Sequence, residues 1–109
     1  MQIYKILRAD EWAALSEIGT TAGAPVDVAD GFVHFSTAEQ VPGTLDAHFT
    51  GETGLRLLAL EADAMGDSLK WEPARDGALF PHLYSGLSLA DVKWQRPIGD
   101  DHTLPEGVV

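Results

Sequence analysis

The chain has 109 residues, seven Lys or Arg against 17 Asp or Glu, a formal charge of −10 and no cysteine. That length suits one domain that can bury a core unaided, and a 45% hydrophobic content makes it globular rather than disordered. Disulfides and thiolate metal sites are excluded, and so few cations disfavour duplex nucleic acid or an anionic membrane as partner.

Gln2–Leu7 alternates, with Ile3, Lys5 and Leu7 on one side and Tyr4 and Ile6 on the other, and predicts a strand. Asp10 is placed to cap a helix over Glu11–Ile18 that buries Trp12, Leu15 and Ile18 and ends at Gly19. Thr20–Asp30 has Gly and Pro breaks and reads as a loop. Gly31–Ser36 predicts a second strand, with Phe32, His34 and Ser36 on one face and Val33 and Phe35 on the other. Ser36-Thr37-Ala38-Glu39 matches a capping box, and Val41, Leu45 and Phe49 then form the core face of a helix that Gly51 closes.

Leu55–Ala62, nearly continuous in apolar residues, predicts a central strand covered on both faces. Strands follow at Ser68–Glu72 and Leu79–Tyr84, separated by a loop at Ala74–Gly77. Leu89–Arg96 begins as a short helical turn and ends as a strand with Val92 and Trp94 on one side. The expected organisation is an α+β domain over residues 1–97, mostly antiparallel strands with two to three helices, and a frayed polar tail over 98–109. No apolar run could span a bilayer, and the N-terminus carries no secretory pattern. A cytoplasmic monomer is the expectation.

Two segments hold chemistry-bearing side chains. His34 lies where a strand gives way to a helix start, and there it can bond ribose or phosphate or act as a general acid–base. It can equally be a histidine held by core hydrogen bonds. Ser36, two residues on, faces the same way, which makes a Ser–His pair geometrically possible. The second segment gathers Trp71, Glu72, Arg75, His82 and Tyr84 between prolines at 73 and 81. Glu72 suits a general base or ribose acceptor, Arg75 a phosphate clamp, and Trp71 or Tyr84 a stacking platform. The alternative is an irregular hairpin whose aromatics are core and whose charges pair on the surface. His34, His82 and Glu72 lack zinc-ligand spacing, so no metal site is expected.

Asp30-Gly-Phe-Val-His34-Phe-Ser-Thr-Ala-Glu-Gln40 and Leu69-Lys-Trp-Glu-Pro73, leading to Leu79-Phe-Pro-His82-Leu-Tyr84, together resemble the DUF952 family of small bacterial proteins. The likeness covers residues 2 to 96. It implies an ADP-ribosyltransferase-like fold, strands splayed around a cleft, and a ligand such as NAD or an ADP-ribosylated group. It implies a binder of that ligand or, if an enzyme, an ADP-ribosyl- or phospho-transferase with His34, His82 and Glu72 as the catalytic candidates. Lys5, Ser36, Thr37, Trp71, Arg75 and Tyr84 would hold the nucleotide, with Lys5 standing where relatives carry a first-strand His. The rival from another class is a non-catalytic module that docks a protein through Trp71, Phe80 and Tyr84.

Overall fold

The computed structural model describes residues 1–108. Its first half runs β1 (Gln2–Leu7), α1 (Ala9–Ile18), β2 (Thr20–Thr21), α2 (Pro25–Asp30), β3 (Val33–His34) and α3 (Val41–His48). The second half is β4 (Arg56–Glu61), β5 (Leu69–Pro73), β6 (Leu79–Leu83), β7 (Leu87–Ser88) and β8 (Val92–Pro97), with 3-10 turns at Ala62–Ser68, Arg75–Gly77 and Leu89–Asp91. All strand pairing is antiparallel, so the fold is α+β. One sheet has the order β1-β4-β8, a second β3-β6-β5, and β2 pairs with β7. Tyr4 and Ser36 exchange both backbone hydrogen bonds, at 2.8 and 2.9 Å, and this bridge joins the two three-stranded sheets.

Central β4 is buried on both faces, which explains its unbroken apolar run. Leu58 and Leu60 meet Ile3, Leu7, Leu15, Val33, Phe35 and Leu83 on one side. Leu57 and Ala59 meet Tyr4, Ile6 and the Val41, Leu45, Phe49 face of α3 on the other.

Several expectations are corrected. Ile18 is 70% exposed, so Leu15 alone on α1 is fully buried while Trp12 packs partly against the core. The first turn of α1 is held by Glu11, which accepts the Arg8 N–H at 2.8 Å, rather than by Asp10. The supposed loop at 20–30 contains β2 and α2; Pro25 presets the first helical turn, Asp27 accepts the Ala24 N–H, and Gly31 closes the helix at φ +86°. The predicted capping box is not made: one residue later Gln40 accepts the Thr37 N–H at 3.0 Å, half of such a box, and the Ser36 hydroxyl bonds Thr44 instead. A register shift between Ala59 and Leu60 bulges β8, so Val92 and Trp94 pack into opposite halves of the core. The residues after Pro97 fold back: Ile98 is buried, its N–H donating to Leu55 O, and Leu104 and Val108 cover the Trp94 side. No described helix is long and apolar enough to cross a membrane.

Candidate functional site

A cavity of about 690 Å³ opens beside the Tyr4–Ser36 bridge. Its base is the β3–β6 ladder, in which His34 lies opposite His82. Two residues along the same faces, Ser36 and Phe80 also line it, while Lys5 enters from β1, Asp27 and Asp30 from α2, and Thr44 and His48 from α3. The turn after β5 brings in Arg75.

Asp27 organises the α2 side. Its Oδ1 accepts the His34 N–H at 3.0 Å and faces His34 Nδ1 at 2.5 Å, while Oδ2 accepts Lys5 Nζ and the Ala24 N–H, both at 2.7 Å. Four donors converge on one fully buried carboxylate. Burial alone would raise its pKa, but the His34 bond and the charge and bond of Lys5 outweigh that and hold it down at about 2. Lys5 is pulled the other way: burial lowers its pKa against the raising effect of Asp27. Lys5 Nζ also donates to His34 O at 3.0 Å, leaving one of its three N–H groups uncommitted. Gly23, at φ +104°, wraps the chain over this pair so closely that a Cβ there would sit 2.3 Å from Asp27 Oδ2.

His34 Nε2 lies 3.0 Å from Asp30 Oδ2. Both ring nitrogens therefore face carboxylate oxygens, which only accept, and both bonds form when both nitrogens carry a proton. His82 differs. Its Nδ1 lies 2.9 Å from Glu72 Oε1, a pure acceptor that places a proton on Nδ1, so that in the neutral ring Nε2 carries the lone pair. That Nε2 is buried with no partner among the described residues. The two imidazoles are 5.4 Å apart, and Phe32 stacks on His82 at 4.2 Å, so each ring is held by a carboxylate and an aromatic neighbour.

The structure thus gathers His34, His82, Lys5, Ser36 and Arg75 around one cavity. Glu72 stands behind His82, where it also accepts the Tyr84 hydroxyl at 2.6 Å; the bonds from Tyr84 and His82 lower its pKa. Tyr84 belongs to the Phe32 ring cluster outside the cavity, and Thr37 is not among the lining residues. Trp71 pairs with Pro81, one step out of register with Phe80 and His82, and so projects from the opposite face of the sheet. It cannot stack a ligand in the cavity, and Trp71, Phe80 and Tyr84 do not form one patch. Ser36 bonds Thr44 rather than His34, so no Ser–His pair exists. Sequence reasoning missed Asp27, Asp30 and Thr44; Pro25 followed by an acid at 27 and Gly31 was the helix signal that would have placed the first two.

The family model for proteins of unknown function named DUF952 matches residues 6–95, most of the chain. The chain belongs to the DUF952 family. It is similar to protein CC0527 from Caulobacter crescentus. The crystal structure of that protein is 42% identical with a TM-score of 0.88, covering 100% of this chain and 92% of the other. Its solution NMR structure gives 45% identity and a TM-score of 0.81 over 90% and 84% of the two chains. No curated protein matches. The α2 residues that build the Asp27–Lys5–His34 cluster therefore lie inside the DUF952 segment, with Lys5 just ahead of it.

Proposed function

We propose that the cavity binds a nucleotide-like ligand of the NAD or ADP-ribose type, and that its two histidines are placed for transfer chemistry on that ligand. The observation that carries this reading is the Nε2 of His82, unpaired among the described residues, on a residue 4% exposed that lines the cavity. A buried lone pair left without a donor costs roughly 1–3 kcal/mol and calls for a ligand donor such as a ribose hydroxyl. The volume falls within the roughly 300–1,000 Å³ of small-molecule sites. His82 serves as acceptor or base. His34, its Nε2 shared with half-exposed Asp30, supplies the proton. Lys5 and Arg75 bring positive charge to opposite ends of the ladder. The ADP-ribosyltransferase-like architecture belongs to the same proposal, with support from two antiparallel sheets flanking a cleft.

The test is a backbone amide NMR titration with NAD, ADP-ribose, AMP and a neutral sugar as control. Saturable shifts confined to residues 24–36, 43–48 and 74–82 with the nucleotides alone are expected. No localised shift at millimolar ligand would remove the reading.

A further inference from the structure

Arg75 is unlike the other cations that line the cavity. Lys5 is committed to Asp27, and Arg8 is tied to Glu11 and Glu52. Among the described residues Arg75 has no carboxylate partner, in a protein with 17 acids and seven Lys or Arg. Its guanidinium lies 5.0 Å over the Phe80 ring and reaches Thr44 Oγ1 at only 3.5 Å. Thr44 is kept as an acceptor: its own hydroxyl donates to Gln40 O at 3.1 Å, so Ser36 donates to it at 2.9 Å. Gly43 makes room, since a Cβ there would lie 3.0 Å from the guanidinium.

The charges around the cavity are also segregated. Its acidic lining residues, Asp10, Glu11, Asp27 and Asp30, all come from α1 and α2, and none comes from the α3 and β6 side where Arg75 lies. Along β6, Phe80 and His82 share a face roughly 6.6 Å apart. Phe80, which carries the Arg75 guanidinium over its ring, and His82, whose Nε2 has no partner among the described residues, are thus next neighbours on one face of β6, and all three residues line the cavity. In the neutral ring the lone pair on Nε2 would repel a bare anion but accepts a hydrogen bond from a protonated one. A phosphate monoester keeps a proton up to about pH 6 and a diester has none.

From this geometry we infer that Arg75 and His82 form a subsite for a terminal phosphate monoester, positioned by Thr44 and Gly43, and that the ligand of the cleft carries such a group. This deepens the nucleotide reading and rests on the same cavity. The guanidinium takes two phosphate oxygens in its planar fork, and the phosphate O–H donates to His82 Nε2.

The experiment is calorimetric and NMR titration of the full chain at pH 6 with inorganic phosphate, AMP, adenosine and cyclic AMP as the diester. Wild type, Arg75→Gln, His82→Gln and, as a control of equal charge change, Lys93→Gln are compared. AMP is expected to bind at least ten-fold more tightly than adenosine, with shifts at Gly43, Thr44 and Arg75. Arg75→Gln removes that gain, His82→Gln removes the preference for AMP over cyclic AMP, and Lys93→Gln changes neither. Equal binding of AMP and adenosine overturns the subsite while leaving the nucleotide reading intact. Phosphate binding that Arg75→Gln abolishes, with no added affinity from adenosine, supports the subsite and removes the nucleotide reading. An Arg75→Gln protein that is folded by its amide spectrum and binds AMP like wild type also overturns it.

Discussion

Replacing Asp27 by Asn tests the centre of the proposed architecture. The amide keeps the shape of the carboxylate but puts an N–H₂ where one oxygen now accepts two donors. Whichever way the Asn turns, it faces either Lys5 Nζ with the Ala24 N–H, or the His34 N–H with Nδ1. The buried ammonium of Lys5 also loses its counter-charge. Breaking a buried pair from one side costs about 3–5 kcal/mol. Linkage gives an independent figure. Asp27 titrates at about 2 against an ordinary 3.8, and that depression corresponds to about 2 kcal/mol at neutral pH. Because the folded pKa is the lower one, this stability is complete above pH 4 and disappears as pH falls towards 2. Protonation adds one turnable O–H where Asn adds two donors, so the mutation should exceed the linkage figure. We expect Asp27→Asn to lose about 2–4 kcal/mol in urea unfolding at pH 7, roughly 8–16 °C in Tm. The variant should also show a shallower decline than wild type between pH 4 and 2. Lys5→Met added to Asp27→Asn should recover more than 1 kcal/mol, since it removes the stranded charge. An Asp27→Asn protein within about 1 kcal/mol of wild type, with the acid limb unchanged, would refute this account.

Gly23→Ala should destabilise by at least about 2 kcal/mol, because it imposes a side chain at φ +104° and drives a Cβ into Asp27; the His34 ring resonances should move with it. Glu72→Ala should cost about 1–3 kcal/mol, because it takes the partner from the buried His82 Nδ1, and should release the Nδ1–H tautomer of His82, read from imidazole ¹⁵N shifts. In the same variant the Tyr84 pKa, now raised chiefly by the bond to Glu72, should fall back towards 10.0 in ultraviolet titration. The neutral Tyr84 bond in wild type is lost as pH rises through that raised pKa. Ile98→Ala should cost about 2–5 kcal/mol in chemical unfolding, as a truncation within the core; a loss below 0.5 kcal/mol would show that the segment after Pro97 is dispensable.

The elements legible in the sequence are those whose side-chain period matches their burial. Alternation in Gln2–Leu7, the double-sided run at Leu55–Ala62 and the four-residue spacing of Val41, Leu45 and Phe49 each report a face packed on the core. Helix α2 escapes because it has six residues and buries only Asp27, so it has no apolar stripe to announce it. The β8 bulge is equally silent, since one extra residue reverses the facing of Val92 against Trp94 without altering local composition. The tail misleads for a related reason: Ile98, Leu104 and Val108 are apolar anchors spaced too widely for any periodic template.

His34, His82 and Arg75 were legible as chemistry because their types are unusual near prolines and helix starts. What each does depends on partners that the sequence does not place beside them. His34 and His82 occupy paired positions on neighbouring strands and stand against one carboxylate each at Nδ1, yet they are not equivalent. A second carboxylate occupies Nε2 of His34, whereas Nε2 of His82 has no partner among the described residues. The two rings therefore differ in what surrounds them: both nitrogens of His34 face carboxylates, and on His82 only Nδ1 does. Lys5 belongs to that asymmetry: by donating to Asp27 and to the backbone of His34 it fixes the carboxylate and the strand that hold the His34 ring.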